Sequence, residues 1–181
     1  MLASLVMGAV LPYGYLEYCA KTPPAQAQCA VKQVTTSDLA ALNTTVNHAI
    51  SGRSDRQGFD VWTAFPADRA GDCDDYVMTK RAALLALGVA AASLQIVAGD
   101  TPEGNAHLVL YVLAEGKTWV LDNRIDGIYE PGGGPGLTVR GIQSTDSALW
   151  QIPLPPTPPP LTPPAPAPNT SAALPPIPST K

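Results

Sequence analysis

Cys73 stands in an acidic run, with Asp72 before it and Asp74 and Asp75 after it. A cysteine attacks a carbonyl as the thiolate, not the thiol. If residue 73 opens a helix, unpaired backbone N–H groups and the positive end of the helix dipole favour that thiolate. The same N–H groups can hold an oxyanion on the attacked carbonyl. The flanking acids oppose this, because negative charge raises a thiol pKa. Such a cysteine therefore needs an imidazolium partner or a cation that neutralises the acids. The chain has two histidines. His107 begins an alternating run, and Asp122 ends the next one. A hairpin that pairs Leu113 with Gly116 sets His107 opposite Asp122 on one face. Asp122 then accepts from one imidazole nitrogen and leaves the other for Cys73, which are the roles of a nucleophile–base–acid triad. His48 lies at the edge of an apolar helical stripe and reads as a surface residue.

These residues need elements to carry them. Leu39, Leu42, Val46, Ala49 and Ile50 recur at helical spacing, which predicts a helix from Thr36, capped by Thr36 or Ser37, with Gly52 after its end. Residues 12–34 read as an irregular lead-in and 53–72 as a loop, anchored by Trp62 and Phe65. A second helix is expected over 73–87. Asp72 is its N-cap, Asp74 and Asp75 fill its first turn, and Gly88 sits where a left-handed residue ends a helix. Val77, Ala83, Leu84 and Leu87 form its apolar face, and Lys80 and Arg81 lie further along. The period then changes to two. Strands are expected over 93–98, 107–113 and 117–122, with a turn at Glu115-Gly116. Residues 131–136 are a loop, and 137–151 hold one more strand or edge segment. The predicted fold class is α+β, with the nucleophile helix packed on an antiparallel sheet.

Composition sets the limits. The 181 residues suffice for one domain with a core. Net charge is −4 and no basic cluster stands out, which argues against a nucleic-acid partner. Thirteen of the 20 prolines lie from Pro153 onward. That composition places a domain over 12–152 and a disordered polyproline-type tail over 153–181. Residues 1–11 include a short apolar run, too short to span a bilayer. It reads as the remnant of a signal sequence or as a buried N-terminal strand, and no stable membrane insertion is expected. Of three cysteines, a Cys19–Cys29 disulfide plus a free Cys73 is the simplest partition, and it would place the protein outside the cytoplasm. Two buried free thiols are the alternative.

Four separated blocks resemble one family. Gly71-Asp72-Cys73-Asp74-Asp75-Tyr76, with Lys80 beyond, is similar to the nucleophile motif of bacterial transglutaminase-like cysteine proteinases. Asn105-Ala106-His107-Leu108-Val109-Leu110 resembles their His motif, and Val120-Leu121-Asp122-Asn123 their Asp motif. Tyr18-Cys19-Ala20-Lys21-Thr22-Pro23, with Cys29 after it, resembles their N-terminal segment. Val46, Asn47, Ile50, Trp62, Gln143 and Trp150 also fit, so the resemblance covers about residues 12–151. It implies a papain/transglutaminase-like fold and a periplasmic or otherwise exported protease that clips a large surface adhesin. It also implies calcium on acids beside the nucleophile, which here are Asp72 and Asp74; no cofactor is needed for the chemistry itself. The plainer reading of those two acids is a helix cap and a dipole partner. The polyproline tail lies outside the family pattern.

The leading expectation is thus a thiol endopeptidase acting on a protein substrate through Cys73, His107 and Asp122. Transglutaminase- or deamidase-type acyl transfer shares the same residues and differs in whether water or an amine resolves the acyl-enzyme. A non-catalytic binding module on a proline-rich stalk ranks last, because all three triad residues are present.

Overall fold

A six-stranded antiparallel sheet carries the His and Asp motifs, and helices cover one of its faces. The computed structural model describes residues 12–22, 29, 33–55, 59–143 and 150–152. The expectations for residues 1–11 and for the tail from 153 fall outside them. The helices are α1 (Tyr13–Lys21), α2 (Thr36–Ala49) and α3 (Cys73–Ala86). The strands are β1 (Ser51–Gly52), β2 (Ala70–Gly71), β3 (Leu94–Asp100), β4 (Ala106–Ala114), β5 (Lys117–Leu121), β6 (Ile128–Tyr129), β7 (Thr138–Gln143) and β8 (Trp150–Gln151). The large sheet runs β6-β5-β4-β3-β7-β8. The fold is α+β, as its periodicities predict. Among the described residues no helix is long and apolar enough to cross a membrane.

Alternation along the strands builds two apolar layers. Leu94, Ile96, Leu110, Val112 and Leu121 pack against Leu39, Leu42, Val46, Val77 and Leu84 of the helices. Val97, Val109 and Val120 form a second cluster, joined by Tyr111, Tyr129, Val139 and Ile142. Each fully buried Leu, Val or Ile contributes about 1.5–3 kcal/mol, so the layer between helices and sheet holds α3 against β4.

The structure corrects three sequence expectations. The irregular lead-in contains α1. Its buried Tyr13 and Leu16 follow helical spacing, but with only nine residues and three tyrosines the stripe is easily missed. A helix so short is stabilised by its contacts: Tyr13 meets the buried Phe65 edge-on at 5.4 Å between centroids. Cys19 of α1 is bonded to Cys29. The cap of α2 is Thr35 rather than Thr36 or Ser37. Its hydroxyl accepts from Asp38 N while the Asp38 carboxylate accepts from Thr35 N, a reciprocal capping box.

The third correction concerns register. The hairpin pairs Ala114 with Lys117 and Leu110 with Leu121, not Leu113 with Gly116. Glu115 and Gly116 are both at positive φ, 52° and 76°, the combination a two-residue hairpin turn of the primed type needs. The turn therefore sits one residue later than expected. His107 and Asp122 are diagonal rather than opposite. The displacement is two positions, which leaves the face of every side chain unchanged.

The short parallel pair β1–β2 joins Ser51 to Ala70 and Gly52 to Gly71. It ties the end of α2 to the segment that enters α3.

Candidate active site

Cys73 is the first residue of α3 and is half-buried. Pairing between β4 and β5 ends at Leu110–Leu121, short of the Leu108 N–H, which donates to the Cys73 sulfur. Helix α3 thus begins against the same strand that carries His107. Burial pushes the Cys73 thiol up, the Leu108 N–H pulls it down, and Asp72 and Asp74 push it up again. The net direction is upward, set first by burial, with the acidic flanks adding the smaller push anticipated from the sequence.

His107 Nε2–H donates to Asp122 Oδ1 at 2.9 Å, between two buried residues. Nδ1 is the nitrogen left over. Asp122 is the best-satisfied side chain of the site. Its Oδ1 also accepts from Arg124 N at 2.9 Å. Its Oδ2 accepts from Arg124 Nη2 at 2.8 Å and from the Tyr129 hydroxyl at 2.7 Å. Burial alone would raise the Asp122 pKa, but the bonds from His107, Arg124 and Tyr129 outweigh it and hold the carboxyl well below the usual range. Arg124 is fixed in turn by Gly136 O. Asn47 Nδ2 of α2 holds the backbone, donating to Asp122 O at 3.0 Å and Ile125 O at 2.8 Å.

Cys73 and His107 line one cleft of about 450 Å³ together with Asp60, Trp62, Asp72, Asp74, Ala98, Gly99, Asp100, Ala106, Leu108 and Arg140. A second depression beside it is lined by the same two residues with Tyr76, Asn123 and Arg124. The structure thus brings Cys73, His107 and Asp122 together. It leaves His48 on the surface, bonded to Asp126 at 2.9 Å. Arg124 and Tyr129 escaped the sequence reading. Arg124 is only two residues from Asp122, and its nearness in sequence was the one usable signal. Tyr129 reaches Asp122 through the β5–β6 pairing, which no local pattern announces.

The acids form a second constellation. Asp72, Asp74 and Asp75 each place a carboxylate oxygen within 4.8 Å of the others. Asp75, not among the expected ligands, completes the group. Its Oδ1 accepts from Thr63 N at 2.8 Å and its Oδ2 from Asp72 N at 3.2 Å. A Cβ on Gly71 would lie 2.0 Å from Asp75 Oδ2, so glycine is required there. Asp72 Oδ1 and Asp74 Oδ1 are buried with no hydrogen-bond partner. Burial, then the neighbouring Asp72, Asp75 and Asp60, raises the Asp74 pKa to about 8. Buried carboxylate oxygens without donors, crowded by like charge, suit a hard cation such as calcium.

A family model for bacterial transglutaminase-like cysteine proteinases matches residues 7–150. The chain belongs to that family and is a transglutaminase-like cysteine peptidase. Solved structures of Legionella pneumophila LapG share its fold. The calcium-bound form is 20% identical over 73% of this chain and 83% of that chain, with a TM-score of 0.56. The EGTA-treated form is 20% identical over 80% and 88%, with a TM-score of 0.59. A further LapG structure is 21% identical over 78% and 88%, with a TM-score of 0.58. A search of curated proteins finds no match.

Proposed function

We propose that this peptidase is an endopeptidase in which Cys73 is the nucleophile, His107 the base and Asp122 the residue that orients the base. The observation that carries the reading is the buried 2.9 Å bond from His107 to Asp122 beside the cleft that Cys73 also lines. His107 takes the thiol proton through Nδ1, and the sulfur attacks the scissile carbonyl. Amides at the start of α3 receive the oxyanion. The leaving amine takes its proton from His107, and water then resolves the acyl-enzyme. Asp122 remains ionised throughout and stabilises the imidazolium.

Asp72, Asp74 and Asp75 would hold a calcium ion, a reading supported by the calcium-bound LapG structure. When bound, calcium supplies positive charge that offsets the acids beside Cys73. The Cys19–Cys29 disulfide supports a periplasmic or otherwise exported protein, and the substrate proposed is a large surface adhesin. The catalytic domain spans 12–152, with the proline-rich stretch from 153 as a spacer outside it.

The test is incubation of an adhesin fragment with the full chain and with Cys73→Ala, with and without chelator. Cleavage by the full chain alone, lost with Cys73→Ala, is expected. Fragment joined to an added amine without new peptide termini would replace hydrolysis by acyl transfer.

A further inference from the structure

Lys80 lies on α3 about two turns past Cys73 and is fully buried. Its Nζ has no hydrogen-bond partner in the protein. Leaving an ammonium unpaired in the interior costs several kcal/mol, a cost that an apolar side chain in the same space would not carry. The proposed chemistry does not use it.

Its surroundings point to one place. Nζ lies 5.8 Å from the centroid of the Tyr76 ring on its own helix. Tyr76 donates its hydroxyl to Ile50 O at 2.6 Å and lines the depression beside Cys73 and His107. The charged groups that act on Lys80 are Asp122 and Asp126, at the two ends of the loop after β5. Asp122 is bonded to His107 and Arg124, and Asp126 to the exposed His48. The facing helix α2 contributes that His48 at its exposed end and two asparagines that grip the same loop. Asn43 Nδ2 donates to the carbonyls of Ile125, Asp126 and Gly127, and Asn47 Nδ2 to those of Asp122 and Ile125. The Oδ1 atoms of both asparagines are buried and lack donors. Buried polar atoms without protein partners, such as these and Lys80 Nζ, are the kind that enclosed water satisfies.

We propose that Lys80 is a positioning residue: its enclosed ammonium, acting on the Asp122–Asp126 loop directly and through buried water, holds the Asp122 carboxylate where it receives the His107 N–H. The inference rests on the triad reading above and adds a group behind it that reaches the reacting atoms only through Asp122 and His107.

Two pH effects of opposite sign follow. Burial lowers the Lys80 pKa to about 7 against the pull of Asp122 and Asp126. The charge is present below that value, so its contribution to turnover is lost as pH rises through about 7. Stability moves the other way. Between about 7 and the unfolded lysine value near 10.4 the unfolded chain binds the extra proton, so the folded state gains as pH rises.

The experiment compares the full chain with Lys80→Met, measuring kcat and KM across pH together with melting temperature. Expected for Lys80→Met is a kcat about tenfold lower in mild acid, on the scale of losing an orienting partner. KM should change little, the melting temperature should be equal or higher, and the fall in kcat above about pH 7 should vanish. An unchanged kcat and profile would overturn the proposal, as would activity lost together with a large fall in melting temperature, which would mark a packing role. A second measurement needs no turnover: NMR of the Lys80 ammonium in the wild type and in Asp122→Asn. Removing the anion should move the Lys80 titration to lower pH, and an unmoved titration would also overturn it. If the wild type cleaves no peptide, the triad reading fails, and the NMR titration alone decides whether Lys80 is coupled to Asp122.

Discussion

Two groups of aspartates flank Cys73, and they are built in opposite ways. Asp122 is surrounded by donors. Its carboxylate accepts from His107, from the backbone and side chain of Arg124, and from Tyr129. Asp72, Asp74 and Asp75 are surrounded mostly by one another, and two of their buried oxygens accept nothing. The first carboxyl is held below the usual range, while Asp74 is raised to about 8. One residue type thus serves two purposes. In the proposed triad the completed site fixes an anion next to the base, His107. The incomplete one stores repulsion that a cation from outside would relieve.

The comparison breaks most visibly at Asp122. Asp122→Asn keeps the shape but removes the charge that stabilises imidazolium and disfavours the productive tautomer. The expected loss in kcat is about 10⁴-fold, the size seen for this change in a comparable triad, with KM little altered. Near-normal turnover would mean that another acid orients His107. The stability that Asp122 contributes is lost in the variant at neutral pH and is lost from the wild type only in acid. The Asp122 pKa is lowered on folding, so its contribution is complete above the unfolded value near 3.9 and is lost as pH falls below it.

Tyr129→Phe tests whether the completeness of that site matters. It deletes one donor to Asp122 Oδ2 and leaves Arg124 in place. A hydrogen bond to a charged group contributes about 1.5–3 kcal/mol, so melting temperature should fall. Turnover should fall about tenfold if roughly 1.4 kcal/mol of that is felt in the transition state. A stability loss with unchanged kcat would make Tyr129 a structural brace only.

Much of this contrast is legible in the sequence, and the part that is not has a physical cause. Cys73 at a helix start, the alternating hairpin and the acidic run are local patterns, and the structure has each of them. The face shared by His107 and Asp122 could be read despite a wrong register, because a two-residue displacement conserves the face. The donors that complete Asp122 could not be read. Tyr129 arrives through a two-residue strand, β6, and Asn47, which holds the Asp122 carbonyl rather than its carboxylate, from a helix 75 positions away. Lys80 reads as one of two basic residues late on a helix, yet it is fully buried, since burial is decided by what packs on that helix. The helix α1 was hidden by its brevity.

Calcium should move the incomplete site toward the complete one. The raised Asp74 pKa means that, without metal, stability is full below the unfolded carboxylate value near 3.9 and is lost as pH rises toward about 8. Bound calcium requires the ionised acids, so it should flatten that slope and raise the melting temperature most near pH 8. Thermal melts with calcium and with EGTA across this range are the check. An equal pH slope in both would remove the metal from the account of these acids.

The smallest effect, and the one whose sign separates the two groups, belongs to Asp74→Asn. At Asp122 removal of charge leaves Arg124 without its anion and should destabilise. At Asp74 the same change removes a buried charge that burial and its neighbours already disfavour. Without calcium, Asp74→Asn should therefore melt slightly higher than the wild type near pH 8, by about 2–4 °C for each kcal/mol of repulsion relieved. With calcium the order should reverse, because the variant lacks one carboxylate ligand while the wild type gains the binding energy. Cys73 should stay alkylatable by iodoacetamide in the variant, since the thiol and its Leu108 contact are untouched. A variant that melts lower than wild type in EGTA would show that Asp74 is held by favourable contacts after all, and that the acids beside Cys73 resemble Asp122 rather than oppose it.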